Sequence, residues 1–532
     1  MAYWRGLAAP AAALAMLVSL AASAQQPWAG DPDAMLAEPI PYMPEALGPF
    51  SHRISSDNPQ AQAFFDQGFQ FMYAFAKYEA VRSFREAQKA DPGCAICYWG
   101  EAWAWGSYLN FHMREREAPY AYAAIGRARE LRGTASPREQ AYIDALSVRY
   151  VADYDYETRR VQDRAYADAA RALSEQYPDD PDAATLYAEA LFLLEPRFGY
   201  RDLEDPAVKR IHAVLESVLA RDIRHPGACH LYIHATESTV RPELAEPCAE
   251  HLGNSVPGAS HINHMPSHTF NEVGRWGDSV RASIQAWHTD LKAKTSRAVS
   301  SYPSHNLHML SFAASYDGQG AVAMRAAKDY EKLMGDKSVQ LLTLVRFGRF
   351  DEIPEAGGRP GGDYAAGAWE FARGYAGVRL GETNIGRAHL ARLLELAEST
   401  DARVRFQPAS LVLGVLAEIL AGEIRREDGD LAAAIETFER AAEHEDEFDF
   451  AEPEPLPFAA RHWLGAALLE AGRPADAERV YRDDLADHPR NGWSLFGLRE
   501  ALAAQGKPDA AVQRDFERAW ARSDTWITAS RF

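Results

Sequence analysis

Counted from Ala61, the chain enters a 34-residue unit with a demanding internal grammar. Phe64, Gly68 and Phe71 fall where one helix would pack, Ala80, Phe84 and Ala87 where a second would pack against it, and Pro92 closes the unit. A small residue lets two helices approach, aromatics fill the remaining gap, and proline ends the second helix. Near the other end the pattern returns: Val415, Gly422, Ala434, Phe438 and Ala441, then Phe458, Leu464, Gly465, Ala477, Tyr481 and Pro489. Alternating apolar and polar runs of the kind that make strands are absent. The expected fold class is therefore all-α, a right-handed solenoid of helical hairpins.

Length agrees with this. A chain of 532 residues is long for one globular core, so several domains or one extended repeat array is expected. The expected order is a signal peptide over 1–24, an extended arm over 25–60, and a hairpin array over 61–356 whose centre, 226–310, is rich in histidine. A glycine-rich linker follows over 357–364, then a second array over 365–532. In the signal, Arg5 supplies the positive region, Leu7 to Leu20 the apolar stretch, and Ala22-Ser23-Ala24 a small-residue cleavage site before Gln25. Cleavage after Ala24 would deliver a periplasmic or secreted protein, with no further segment apolar enough to span a membrane. Net charge is −20, which repels phosphate backbones and argues against nucleic acid as a partner. Small molecules or peptides lying in the groove of the array are the partners such a fold suggests.

Four cysteines, Cys94, Cys97, Cys229 and Cys248, form an even set in an exported chain. Local pairing would give Cys94–Cys97 and Cys229–Cys248, although Cys94-Ala-Ile-Cys97 also has the spacing of a redox pair or of metal ligands. Tyr98 stands where haem attachment would need histidine. Trp99, Trp103, Trp105 and Tyr108 lie along one expected helix, as solenoid core or as the wall of a substrate pocket.

The functional signal is a coincidence of register. His230 and His264 are 34 residues apart, and so are His234 and His268. Within each pair the spacing is four, which stacks two imidazoles on one helix face. Neighbouring hairpins pack about 8–10 Å apart, so two such faces can meet at one ion with metal–nitrogen bonds of about 2.0–2.1 Å. His261, His305 and His308 would extend this four-histidine constellation. More imidazoles are present than one tetrahedral ion requires, so two metals, or one metal beside catalytic histidines, would use them better. Glu237, one turn past His234, is a candidate ligand, hydrogen-bond acceptor or general base, and His261 a candidate proton carrier. Imidazole ligation suits copper, zinc, nickel or iron rather than magnesium or calcium. Copper is preferred over zinc, since the compartment is oxidising and carboxylates are scarce among the histidines. Met265 and Met309 each follow a histidine, but adjacent helical residues diverge by about 100° and both are expected in the core. Pro266 removes one N–H and clashes with the carbonyl of Ile262, so a kink or a late helix start is expected there.

The chain resembles tetratricopeptide-repeat (TPR) proteins over most of its length. Asp91-Pro-Gly-Cys-Ala-Ile-Cys-Tyr-Trp-Gly100 together with His264-Met-Pro-Ser-His268 is similar to a family of exported bacterial TPR proteins. That resemblance implies fold and compartment, and no reaction. Relatives carry Phe-Asn-His before the Glu-Ala of the first repeat; here the stretch is Phe75-Ala-Lys-Tyr-Glu-Ala80, so any role of that histidine is absent or displaced. The functional expectation is an exported metalloprotein, oxidative if copper and hydrolytic if zinc. The alternative is a scaffold that binds a peptide or protein without catalysis.

Overall fold

The computed structural model describes residues 32–196 and 199–532. The signal-peptide segment 1–24 lies outside them. Helices make up most of the described residues, with almost no strand, and successive helices pack antiparallel as hairpins in chain order. The sole sheet among them is a two-stranded ribbon, Arg403–Val404 with Gln407–Pro408. The fold is an all-α, TPR-like array. No described helix is long and apolar enough to cross a membrane.

The first hairpin pairs Pro59–Tyr73 with Lys77–Ala90 and follows the expected grammar closely. Asn58 caps its start by accepting from Gln60 and Ala61 N–H, so the helix begins two residues before the counted origin. A Cβ at Gly68 would lie 2.9 Å from the ring of Phe84, and one at Gly100, on the next helix, 2.5 Å. Phe84 is thus clamped between two glycines, the reason the repeat requires a small residue there. Trp99, Trp103 and Trp105 on Ala95–Trp105 are fully buried core residues.

The arm departs from a fully extended reading. It contains a short helix, Pro32–Ala37, and a 3-10 turn, Pro44–Ala46. Side chains of the first hairpin hold it: Gln67 accepts from Met43 N–H and Gln70 from Gly48 N–H, both at 2.8 Å. His52 reaches further, its Nδ1 lying 2.6 Å from Asp182 on Pro181–Phe192. Both cysteine pairs are disulfides, Cys94–Cys97 and Cys229–Cys248.

Two large cores divide the array. The first runs from Met35 to Tyr302; the second takes in Met324 and Leu341 to Ile353 ahead of the glycine segment, with the helices that follow it. The final hairpin, Gly492–Ala504 with Ala510–Ala519, docks on the middle of the chain. Trp493 Nε1 donates to Ser315 O at 2.9 Å, Trp276 Nε1 donates to Pro489 O at 3.0 Å, and Arg522 pairs with Asp317 at 2.6 Å. Buried indoles leave their N–H groups few partners, so these bonds fix the docking firmly. Because the late repeats fold back in this way, the loop around Glu452 reaches the histidines.

Candidate metal centre

Four segments carry the imidazoles: Pro226–Thr236 with His230 and His234, Ser260–His264 with His261 and His264, Pro266–Glu272 with His268, and Pro303–Tyr316 with His305 and His308. Gly227 makes the first placement possible. A Cβ there would sit 2.5 Å from the Tyr73 ring, so only glycine lets this helix approach the first hairpin closely enough for His230 to meet the Tyr73 carbonyl. Pro266 ends one short helix and starts the next, as expected of a residue without an N–H. Met265 nevertheless keeps helical dihedrals (φ −51°, ψ −36°), and the four-residue spacing survives: His264 and His268 rings are 4.5 Å apart. The helical register assumed for 261–268 therefore holds.

The imidazoles are not arranged as one four-histidine constellation. They divide into two adjacent triads, His230/His234/His261 and His264/His268/His305, within each of which the candidate ligand atoms lie within 4.8 Å of one another. His261 is the reason for the division: three residues before His264, it turns toward the first helix, and His305 from the following hairpin completes the second group. In the first triad the Nε2 atoms of His230 and His261 are 3.1 Å apart. In the second, His268 Nε2 lies 2.7 Å from His264 Nε2 and 3.4 Å from His305 Nε2. Two nitrogens on one tetrahedral ion with bonds of about 2.05 Å would be about 3.3 Å apart, so these separations are of ligand-set size. The triads adjoin: ring centroids are 5.7 Å apart for His234 and His268 and 5.6 Å for His261 and His264.

The partners of the outer nitrogens determine where the inner lone pairs point. Tyr73 O lies 2.6 Å from His230 Nδ1 and can only accept, so that nitrogen carries the hydrogen and Nε2 presents its lone pair. Glu237 takes a bond from His234 Nδ1 at 2.7 Å with one oxygen and from His268 Nδ1 at 2.6 Å with the other. Ser267 Oγ uses its hydrogen on His264 O at 2.6 Å and is left to accept from His264 Nδ1 at 3.2 Å. Four imidazoles are thus turned with Nε2 inward by acceptors on their outer side, the arrangement that carbonyls and carboxylates impose on metal-binding histidines. His234 Nε2 and His261 Nδ1 are buried and have no hydrogen-bond partner. A buried imidazole nitrogen without a partner costs of the order of 1–3 kcal/mol, which a bound ion would recover.

Charge follows the same plan. Burial, with help from the neighbouring imidazoles, holds His230, His261, His264 and His305 well below the usual histidine range, so they are neutral near pH 7 and need shed no proton to bind a metal. His268 differs. Burial lowers it, but Glu237 and Glu452 together outweigh that and push it up to about 10. Glu237 is itself driven well below the carboxylate range, since His234 and His268 overcome the effect of its burial.

Of the residues singled out in the sequence, Glu237, His230, His234, His261, His264, His268 and His305 converge. His308 does not. It sits one turn past His305, its ring 6.0 Å from Tyr330 and its Nδ1 without a partner, outside both triads. Of the three roles open to Glu237, the geometry shows that of acceptor from two Nδ1–H groups, and its carboxylate also belongs to a third group of candidate ligand atoms, with His234, His268 and Glu452, within 4.8 Å of one another. Met265 and Met309 are buried, as expected, and Met309 Sδ lies 3.7 Å from Asn271 Nδ2.

Sequence reasoning missed Glu452, whose Oε2 lies 2.9 Å from His268 Nδ1. It follows an acidic run, Glu443 to Asp449, that reads as solvated surface, and only the prolines of Glu452-Pro-Glu454-Pro hint at a shaped loop. Phe75 was missed too. Held at φ 54°, its ring stacks on His234 and His261 and lies 4.1 Å from His230, closing the first triad from below. Lys77, in the Phe75-Ala-Lys-Tyr-Glu-Ala80 stretch, forms a buried ion pair with Glu117 at 2.7 Å.

No protein-family description matches this chain, and no curated protein matches it. Among solved structures, the TPR domain of P58(IPK) is similar at 12% identity and a TM-score of 0.24, covering 84% of this chain and 98% of that one. A human IFIT1 dimer with m7Gppp-AAAA is similar at 11% identity and a TM-score of 0.29, covering 90% and 91%. At such scores neither likeness carries an argument, and the fold rests on the order and packing of the hairpins themselves.

Proposed function

We propose that this chain is an exported helical-repeat metalloprotein that holds transition-metal ions at its two imidazole triads and uses them for catalysis. One observation carries the reading. Carbonyl, carboxylate and hydroxyl acceptors on the outer nitrogens turn four neutral or neutralisable imidazoles so that their lone pairs meet inside a buried space. A set of plain packing histidines has no reason to share one tautomer and one direction.

Copper is the favoured ion, ahead of zinc. Each triad consists of imidazole donors alone, while the nearby carboxylates are engaged by the Nδ1 atoms, and imidazole donors bind copper above zinc in the general order of affinities. Copper would supply electron transfer or oxygen chemistry, and zinc a metal-activated water. The chain's own residues would orient the ligands through Glu237 and accept a proton at Glu452, beside a cavity that opens next to His268.

The competing reading is a scaffold that binds a peptide or protein in the groove of the array, without catalysis. Elemental analysis separates the two. Protein exported by its own signal and purified without chelator should carry near-stoichiometric copper or zinc. His234→Ala and His268→Ala should each lose metal while staying folded. A folded protein that takes up neither metal even after loading would leave only the scaffold.

A further inference from the structure

A small, partly open cavity adjoins the second triad, with room inside for a group little larger than one or two waters. Its floor is formed by His268 and Glu237, and its sides by the Pro266–Glu272 helix, the 450–454 loop and the segment at 487–488. Its chemistry is lopsided. Five carboxyl groups line it: Glu237, Glu272, Glu452, Glu454 and Asp487, of which Glu272 is pushed up by burial to about 8 and keeps its proton near neutrality. Against the remaining four stand two imidazoles that their carboxylate partners hold protonated, His268 and His488, and among the described lining residues no lysine or arginine. Trp276, Phe312 and Phe450 supply an aromatic wall.

Carboxylates alone would not make a site. Asn271 adds an independent observation. It is 6% exposed, it lines the cavity, and its Oδ1 has no hydrogen-bond partner, its Nδ2 being spent on Met309 Sδ. A buried amide oxygen left unsatisfied beside excess negative charge calls for an N–H donor that is also a cation. Aromatic faces favour the same visitor, since ring quadrupoles attract ammonium groups. Anions and neutral alcohols answer at most one of these three demands.

We propose that this cavity binds the ammonium head of a small primary amine, with Asn271 Oδ1 and the surrounding carboxylates receiving its N–H groups and the aromatic wall its carbon chain. As a statement about substrate it rests on the metal-centre reading: the amine would arrive beside His268, where the second triad begins. As a statement about binding it stands by itself.

Calorimetry on the purified chain with n-butylammonium, n-butanol and butyrate tests it, with metal content measured on the same samples. Butylammonium should bind at least tenfold more tightly than either counterpart. Asn271→Leu and Glu454→Gln should each weaken it about tenfold, with folding checked by circular dichroism. Equal binding of all three probes, or no binding by a protein that carries its metal, would overturn the amine proposal and leave the metal reading intact. Selective amine binding by a protein devoid of metal would uphold the cavity and remove the metal reading instead.

Discussion

Glu237 and His268 are 31 positions apart in sequence and meet at 2.6 Å, carboxylate oxygen to Nδ1, inside the protein. The other oxygen of the same carboxylate holds His234, so one side chain sets the orientation of a ligand in each triad. Glu237→Gln keeps the size but replaces one acceptor with a donor, which must face an Nδ1–H. Metal affinity should fall about 10–100-fold at both triads. Competition against a chromophoric chelator would show it, and unchanged affinity at either triad would remove the coupling role.

The placement of His308 gives a sharp contrast. Since it lies outside both triads, His308→Gln should leave the metal-to-protein ratio unchanged, while His261→Gln and His305→Gln should each lower it. A drop for His308→Gln equal to that for His305→Gln would mean that the ligand set has been drawn wrongly.

Asp290, on Trp276–Ala293, accepts from Ser300 and from Asn306, the neighbour of His305, both at 2.7 Å. Burial raises it to about 6 despite these bonds. An acid raised in the folded state holds its proton more tightly there than when unfolded, so stability is lost as pH rises from about 4 through 6. A shift of about two units corresponds to about 3 kcal/mol. Asp290→Asn, lacking the charge, should escape this loss. Urea unfolding of both proteins from pH 4 to 7 should show the wild type falling relative to the variant across that window. A constant difference would contradict the assignment.

The Cys229–Cys248 bridge closes a loop of separation 19 and ties the helix carrying His230 to Glu246–Leu252. In the chain-entropy picture a loop of that size is worth about 3 kcal/mol. The Cys229→Ser, Cys248→Ser double variant should melt several degrees lower and bind metal more weakly, because His230 is the next residue along the chain. Replacing Cys94 and Cys97 should lower the melting temperature less and leave metal affinity unchanged. Equal effects on metal binding would separate the bridge from the site.

Much of this was legible in the chain. The Gly68–Phe84 contact could be anticipated because a repeat forces local rules to recur, and the spacing of His230, His234, His264 and His268 announced their meeting because hairpin stacking converts sequence period into spatial register. The split into triads could not be read, since it depends on the direction His261 takes from a short helix and on His305 arriving from the next hairpin. Glu452 was hidden for a different reason. Its contact with His268 spans the whole second half of the array, and no periodicity encodes a long-range return.

That return also limits how the protein can vary. Arrays of hairpins ordinarily lengthen or shorten by whole units, since each unit touches only its neighbours. Here the step from His268 to Glu452 is bridged by a fixed number of hairpins, and Trp493 must still find Ser315. Duplicating or deleting one hairpin between them would swing Glu452 away from the imidazoles, so descendants of this chain should differ in loops while keeping their repeat number constant.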